Sequence, residues 1–137
     1  MAKKFKLEFS GFEELSARLE ELGGDLKATT EQALQSTHGF ITPKLQADMG
    51  RHRRTGKTAA SIIKNAKVQW AGDVASIDVG FNLSNGGMPS IFLMYGTPRM
   101  RPDKKLYNDI YGSRTKKEVA ELQEKTVMRA IQKKLGG

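Results

Sequence analysis

Two runs of alternating apolar residues face each other across Gly72-Asp73. Ile62, Ala66, Val68 and Trp70 alternate on the approach, and Ala75, Ile77, Val79 and Phe81 alternate on the return. A period of two puts successive side chains on opposite faces of an extended chain, and Gly-Asp suits a two-residue connection. This pattern predicts a central antiparallel hairpin with one buried face, which the remaining chain must cover. At the amino end "KFKLEFS" alternates in the same way through Phe5, Leu7 and Phe9, and predicts a further strand.

The covering segments read as helices. Ser10 and Glu13 have capping-box spacing. Phe12, Leu15, Leu19 and Leu22 follow at helical intervals, and Gly23-Gly24 stops them. Asp25 is placed to cap a long second helix, whose apolar side is Leu26, Ala33, Leu34, Ile41 and Leu45 with Thr30 and Thr37 between. Pro43 is expected to kink or split it near Phe40, because proline supplies no amide hydrogen. "NLSNGGMPS" predicts an exposed, mobile loop. "IFLMYGT" predicts a buried short strand or single helical turn. Pro102 is expected to open a brief helix through Tyr111, Gly112 to break it, and Thr115 with Glu118 to form a second capping box. Val119, Leu122, Met128, Ile131 and Leu135 would line a last helix. The expectation is one α+β domain over residues 1–137. A small antiparallel sheet, made of the N-terminal strand and the central hairpin, packs with a long kinked helix and C-terminal helices. Flexible loops are expected near residues 50–58 and 82–90.

Chemistry is sparse in this sequence. "GRHRRTGKT" (residues 50–58) ends as a phosphate-binding loop does, but Gly50 and Gly56 have five residues between them and the preceding segment is polar and helical. There is no cysteine, which excludes disulfides, thiolate metal sites and a cysteine nucleophile. The two histidines, His38 and His52, lie in different contexts, and Asp48, four positions before His52, reads as a surface contact. Asp73 and Asp78 flank the hairpin without pairing, and Glu13, Glu14, Glu20 and Glu21 read as a solvent face. Ser61 and Ser90 have no base beside them in sequence. No catalytic constellation emerges, so no enzyme activity, cofactor or metal is expected. Trp70 and the phenylalanines fall at core positions rather than forming a base-stacking set. The longest apolar run, "IFLMY", is too short to span a bilayer, and the first residues lack the apolar stretch of a signal peptide. A cytoplasm-like setting and no membrane partner are expected.

Charge is uneven. The net formal charge is +8. Phe12 to Asp25 holds five acids and one base, whereas Arg114 to Lys134 holds seven bases and three acids. Residues 50–57 carry Arg51, Arg53, Arg54 and Lys57 with no acid. Such separation suits head-to-tail self-association, and it also permits non-specific binding to nucleic acid.

The order of these features resembles the tail-completion or neck proteins of long-tailed bacteriophages, the minor structural proteins that join tail to head. The resemblance is carried by Gly11 to Leu15, by Thr55-Gly56 followed by Ser61-Ile62, and by Tyr95-Gly96-Thr97 with Met100 and Pro102. Two positions depart from it: members often have Glu where this chain has Met94, and Phe where it has Asp103. The resemblance implies a virion protein assembled in the host cytoplasm, forming a homo-oligomeric ring of about six copies. Neighbouring head-connector and tail tube or terminator proteins, and DNA in the channel, would be its partners. A tail-terminator ring protein is the alternative within the same class; a small basic nucleic-acid-binding protein is the alternative outside it. Within this reading Thr55-Gly56 is the corner between the long helix and the hairpin, and Gly96-Thr97 a tight turn that aims the last helices. The interface elements would be the two basic loops with "LSNGGMPS": Arg51, Arg53, Arg54, Lys57, Met88, Thr97, Arg99 and Arg101.

Overall fold

A computed structural model of the chain describes residues 2–52 and 56–136. It is an α+β fold. The sheet has three antiparallel strands in the order β1-β3-β2: β1 (Ala2–Phe5), β2 (Gln69–Ala71) and β3 (Val74–Gly80). The central strand β3 pairs Ile77 with Phe5 on one side and Ala75 with Trp70 on the other. The predicted alternation holds on the return strand, where Ala75, Ile77, Val79 and Phe81 are all buried.

The helices are α1 (Phe12–Glu21), α2 (Leu26–Asp48), α3 (Lys57–Ala60), α4 (Pro89–Tyr95), α5 (Lys104–Tyr111) and α6 (Ser113–Gly136). The main core lies between the sheet and α2, α4 and α5, with Leu34, Ile41, Leu45, Ile77, Phe81, Met94, Leu106 and Ile110 at its centre. A smaller cluster of Leu19, Val127 and Ile131 joins α1 to α6. Asp25 caps α2 as expected, accepting from the Ala28 amide at 3.0 Å. The helix runs through Pro43 without interruption.

Several expectations are corrected. The first strand ends at Phe5, not beyond Phe9. Past that point the fully buried Gln123 of α6 takes the backbone: its Nε2 donates to the Lys6 carbonyl at 3.0 Å, and its Oε1 accepts from the Glu8 amide at 3.2 Å. The approach strand of the hairpin is regular only over Gln69–Ala71; Ile62 meets Phe81 through an isolated bridge.

Neither capping box forms. Gly11, in the left-handed region at φ 83°, takes the N-cap of α1, so Ser10 lies one residue too early. Helix α6 begins at Ser113, which puts Thr115 inside its first turn, where its hydroxyl donates to the Asn108 carbonyl at 2.6 Å. The buried stripe of α6 is Thr115, Val119, Gln123, Val127 and Ile131, while Met128 and Leu135 face outward. The "NLSNGGMPS" segment is ordered by its own bonds. Asn82 caps a short 3₁₀ turn (Leu83–Asn85), and the buried Ser90 donates to the Gly87 carbonyl at 2.6 Å.

Trp70 is not a core residue. Lying at the sheet's end over the first turns of α2, it donates through Nε1 to Glu31 at 2.9 Å and remains exposed. No helix among the described residues is long and apolar enough to cross a membrane.

Candidate docking surface

The end of α2 and the start of α5 are joined by a charged clamp. A 3₁₀ turn (Met49–Arg51) continues from α2, and Asp103 begins α5. Oδ1 of Asp103 accepts from the Leu106 amide at 3.1 Å, which caps the helix. Its Oδ2 takes the Arg51 guanidinium and His52 Nε2, both at 2.8 Å. Burial acts to raise the Asp103 carboxyl, but the bonds from His52, the Leu106 amide and Arg51 outweigh it and hold the group at about 2.

One helical turn deeper, Asp48 is buried, with its side chain only 1 % exposed. The Lys105 ammonium lies 3.0 Å from Asp48 and 2.9 Å from Asp109. Burial and the hydrogen-bonded Asp109 carboxyl push Asp48 up to about 6, against the pull of Lys105. Burial also opposes ionisation of Asp109, yet its bonds to Asp48 and Lys105 bring it below the ordinary range. Asp48 Oδ2 is buried with no donor among the described residues. Asp48 thus keeps its proton to a higher pH than an ordinary carboxyl, because burial and the neighbouring Asp109 both disfavour its charged form.

Asp48 is therefore an interior group, not the surface partner of His52 that its spacing suggests. With a lysine already seated on both carboxyls and almost no exposure, the pair acts as a clamp rather than a reaction site. Among the described residues no group of three or more His, Cys, Asp or Glu is placed to hold a metal ion. His38, the other histidine, is buried and donates through Nε2 to the Ile63 carbonyl at 2.7 Å.

The clamp positions α4. The Asp103 amide donates to the Leu93 carbonyl at 2.7 Å, and Met94 is buried beneath the helix. Pro89 stands in its first turn, where a missing amide hydrogen has no helical partner to lose. Met88, Phe92 and Tyr95, spaced by four and three, share the opposite face and are 52, 52 and 53 % exposed. The expectation that "IFLMYGT" is buried thus fails for two of its three largest side chains. The signal was in the sequence: proline followed by apolar residues at helical spacing. Seven residues were too few to separate helix from strand by period alone.

After α4 the chain reverses sharply. Gly96 has φ 78° and ψ 175°, and a Cβ there would lie 2.8 Å from the Met100 carbonyl and 2.9 Å from the Pro102 ring. Only glycine fits. Thr97 and Met100 then exchange backbone hydrogen bonds of 2.9 and 3.1 Å, and the Thr97 hydroxyl accepts from the Arg99 amide at 3.2 Å. This tight turn presents Arg99 and Arg101 to solvent beside α4, and their side chains make no ion pair among the described residues.

Of the residues read from sequence as an interface, Met88, Thr97, Arg99 and Arg101 gather around α4. Arg51 is turned inward to Asp103 and lies on the clamp. Lys57 opens α3, with its backbone carbonyl close under Gly86. Arg53, Arg54 and Thr55 lie outside the described residues. Phe92 and Tyr95 are not among the interface residues read from sequence, and Asp103 stands there only as a departure from the neck-protein pattern, not as a cap or ion-pair partner. No family model, no curated protein and no solved structure matches this chain.

Proposed function

We propose that this protein is a structural component of a long-tailed bacteriophage particle, acting at the head–tail junction as a subunit of an oligomeric ring. The observation that carries the reading is the face of α4. Met88, Phe92 and Tyr95 stand half exposed in a row, and the turn that follows α4 carries the exposed Arg99 and Arg101. Contiguous apolar surface with a polar rim marks a place where another protein docks. The helix is rigidly held from below by Met94, Ser90 and the clamp at Asp103, so the surface is preformed and loses little freedom on binding.

The resemblance to neck proteins supports the particular assembly. Its Tyr95-Gly96-Thr97, Met100 and Pro102 motif builds the tight turn that presents this surface, and Gly96 is required there by geometry. On this reading the sheet and the long helices are scaffold, while α4 and the turn after it are the working part.

The test is the particle. Mass spectrometry of purified virions should find this chain in several copies, and electron microscopy of particles made without it should show full heads and separate tails. Virions that lack the chain, or that join heads to tails normally without it, would refute the proposal.

A further inference from the structure

A groove of about 770 Å³ opens at the other end of the molecule, between α1, the first turns of α2 and the β2–β3 hairpin. Its apolar lining includes Leu7, Phe12, Leu26, Trp70 and Val74. Trp70 and Val74 are 37 and 49 % exposed, large apolar side chains that the chain itself leaves uncovered. Glu8, Glu20 and Asp73 border the groove, and the outer face of α1 adds Glu13, Glu14 and Glu21. Lys6 and Lys27 also border it. Lys27 lies over the Trp70 ring, 5.8 Å from its centroid.

We infer that this groove is the socket for α4 of a second copy of the same chain, so that copies join head to tail. The inference rests on the assembly reading above and names its contact. Three observations select this occupant. The first is shape: α4 is a short ridge bearing three large apolar side chains, and the groove is an apolar concavity within the ~300–1,000 Å³ range of preformed sites. An amphipathic helix laid in a groove is a recurrent mode of recognition.

The second is charge. Arg99, Arg101 and Lys104 follow α4 in the chain and are exposed, while Glu8, Glu20 and Asp73, which make no ion pair among the described residues, outnumber Lys6 and Lys27 at the groove. Opposite signs meet when the two are joined, and like signs meet when ridge faces ridge or groove faces groove.

The third is position. The groove takes Leu26, Lys27 and Thr30 from the start of α2, whereas the clamp carrying α5 and α4 grips Asp48 at its end. Twenty-three helical residues separate the two ends by ~34 Å at 1.5 Å per residue. Two different patches at opposite ends of one molecule make a heterologous contact, which repeats from copy to copy.

The absence of cysteine makes a clean test possible. Phe92→Cys and Val74→Cys are made in separate proteins, both at exposed positions where the fold is little disturbed, and circular dichroism checks each. Under mild oxidation the mixture should give a disulfide-linked dimer several-fold faster than either variant alone. A chain carrying both substitutions should give a ladder of covalent oligomers. Sedimentation equilibrium supplies the second measurement. Arg99→Glu with Arg101→Glu should weaken self-association at least ten-fold, and adding Glu20→Lys and Asp73→Lys should recover most of the loss.

A Phe92→Cys protein that links to itself faster than to the Val74→Cys protein would overturn the inference in favour of a ridge-to-ridge dimer. So would a wild-type chain that stays monomeric to ~1 mM together with a Phe92→Cys and Val74→Cys mixture that forms no mixed disulfide. Either failure leaves the virion proposal to be decided separately by the content of particles.

Discussion

Gln123 Nε2 donates to Thr37 Oγ1 across 3.1 Å, and both side chains are fully buried where α6 crosses α2. Thr37 completes the chain by donating to the Ala33 carbonyl at 2.9 Å. Both hydrogens of the Gln123 amide are used, one on Thr37 and one on the Lys6 carbonyl, while its oxygen holds the Glu8 amide. One side chain therefore ties two helices to the segment that leaves the sheet. Gln123→Leu would fill the same space but strand a backbone carbonyl and a backbone amide. Each buried, unpaired group costs ~1–3 kcal/mol, so the variant should lose about 2–4 kcal/mol in urea denaturation. A loss under ~0.5 kcal/mol, the scale of an ordinary surface substitution, would show that water replaces the amide without penalty.

The carboxyl pair predicts a pH dependence of unusual sign. Asp48 stands at about 6 in the folded protein against a model-compound value of 3.8. Between those values the folded state holds more protons than the unfolded one, so stability falls as pH rises from about 4 to about 6. Asp109 shifts the other way, so its contribution changes below about pH 4 and leaves this window to Asp48, whose two-unit shift carries at most ~3 kcal/mol. Asp48→Asn keeps a donor for Asp109 and removes the titration. Its stability should be flat from pH 4 to 7 and should match or exceed that of wild type at pH 7. A wild-type stability that climbs over this range would show that Asp48 ionises freely.

Asp103 contributes to the acid limb, together with Asp109. Held at about 2 in the folded state, it contributes stability above pH 4 that is lost as pH falls toward 2. Asp103→Ala removes the cap of α5 together with the partner of Arg51 and His52. Loss of an N-cap costs ~1–2 kcal/mol. Hydrogen exchange should quicken at Leu106 in this variant, and its acid limb should flatten. Unchanged protection at Leu106 would mean that the cap contributes nothing.

These predictions fall where the sequence was hardest to read. The return strand was legible because Ala75 to Phe81 sees one buried face at a strict period of two, and Asp25 was legible because a cap acts on its own helix. Gln123 was not: a polar residue interrupts the Val119, Val127, Ile131 stripe, and the apolar positions Leu122 and Met128 offered a more hydrophobic but wrong register. Trp70 alternates correctly yet stands exposed, because pattern gives the face of a strand and not whether anything covers its end. Asp48 and Asp103 are 55 positions apart in a chain that brings them to one clamp, a relationship no local pattern encodes. Asp103 is also one of the two departures from the neck-protein pattern, and here the departing residue is the one that caps α5.

Gly96 should tolerate no side chain. An alanine there would need a left-handed backbone and would press on the Met100 carbonyl and the Pro102 ring. Strain of this kind costs ~1–3 kcal/mol for the backbone alone. Gly96→Ala should therefore lower the melting temperature by roughly 3–15 °C, at ~3–5 °C per kcal/mol for a chain between the small and mid-sized domain ranges. It should also abolish the Phe92–Val74 disulfide by redirecting Arg99 and Arg101. A variant that melts like wild type would place the turn in a different conformation.

Trp70 is the sole tryptophan and lines the proposed socket, so the protein carries its own reporter. An exposed indole emits at longer wavelength than one packed in an apolar contact. If α4 of a second copy enters the groove, emission should move to shorter wavelength as the concentration is raised. Phe92→Ser removes the central side chain of the ridge, which lies far from Trp70 in its own molecule. The variant should match wild-type emission in dilute solution and show no shift on concentration. Glu31→Ala, which deletes the partner of the indole hydrogen, should change the dilute spectrum while leaving the concentration-dependent shift in place. A shift that survives Phe92→Ser would mean that something other than α4 covers Trp70, and a wild-type spectrum independent of concentration would leave the groove open.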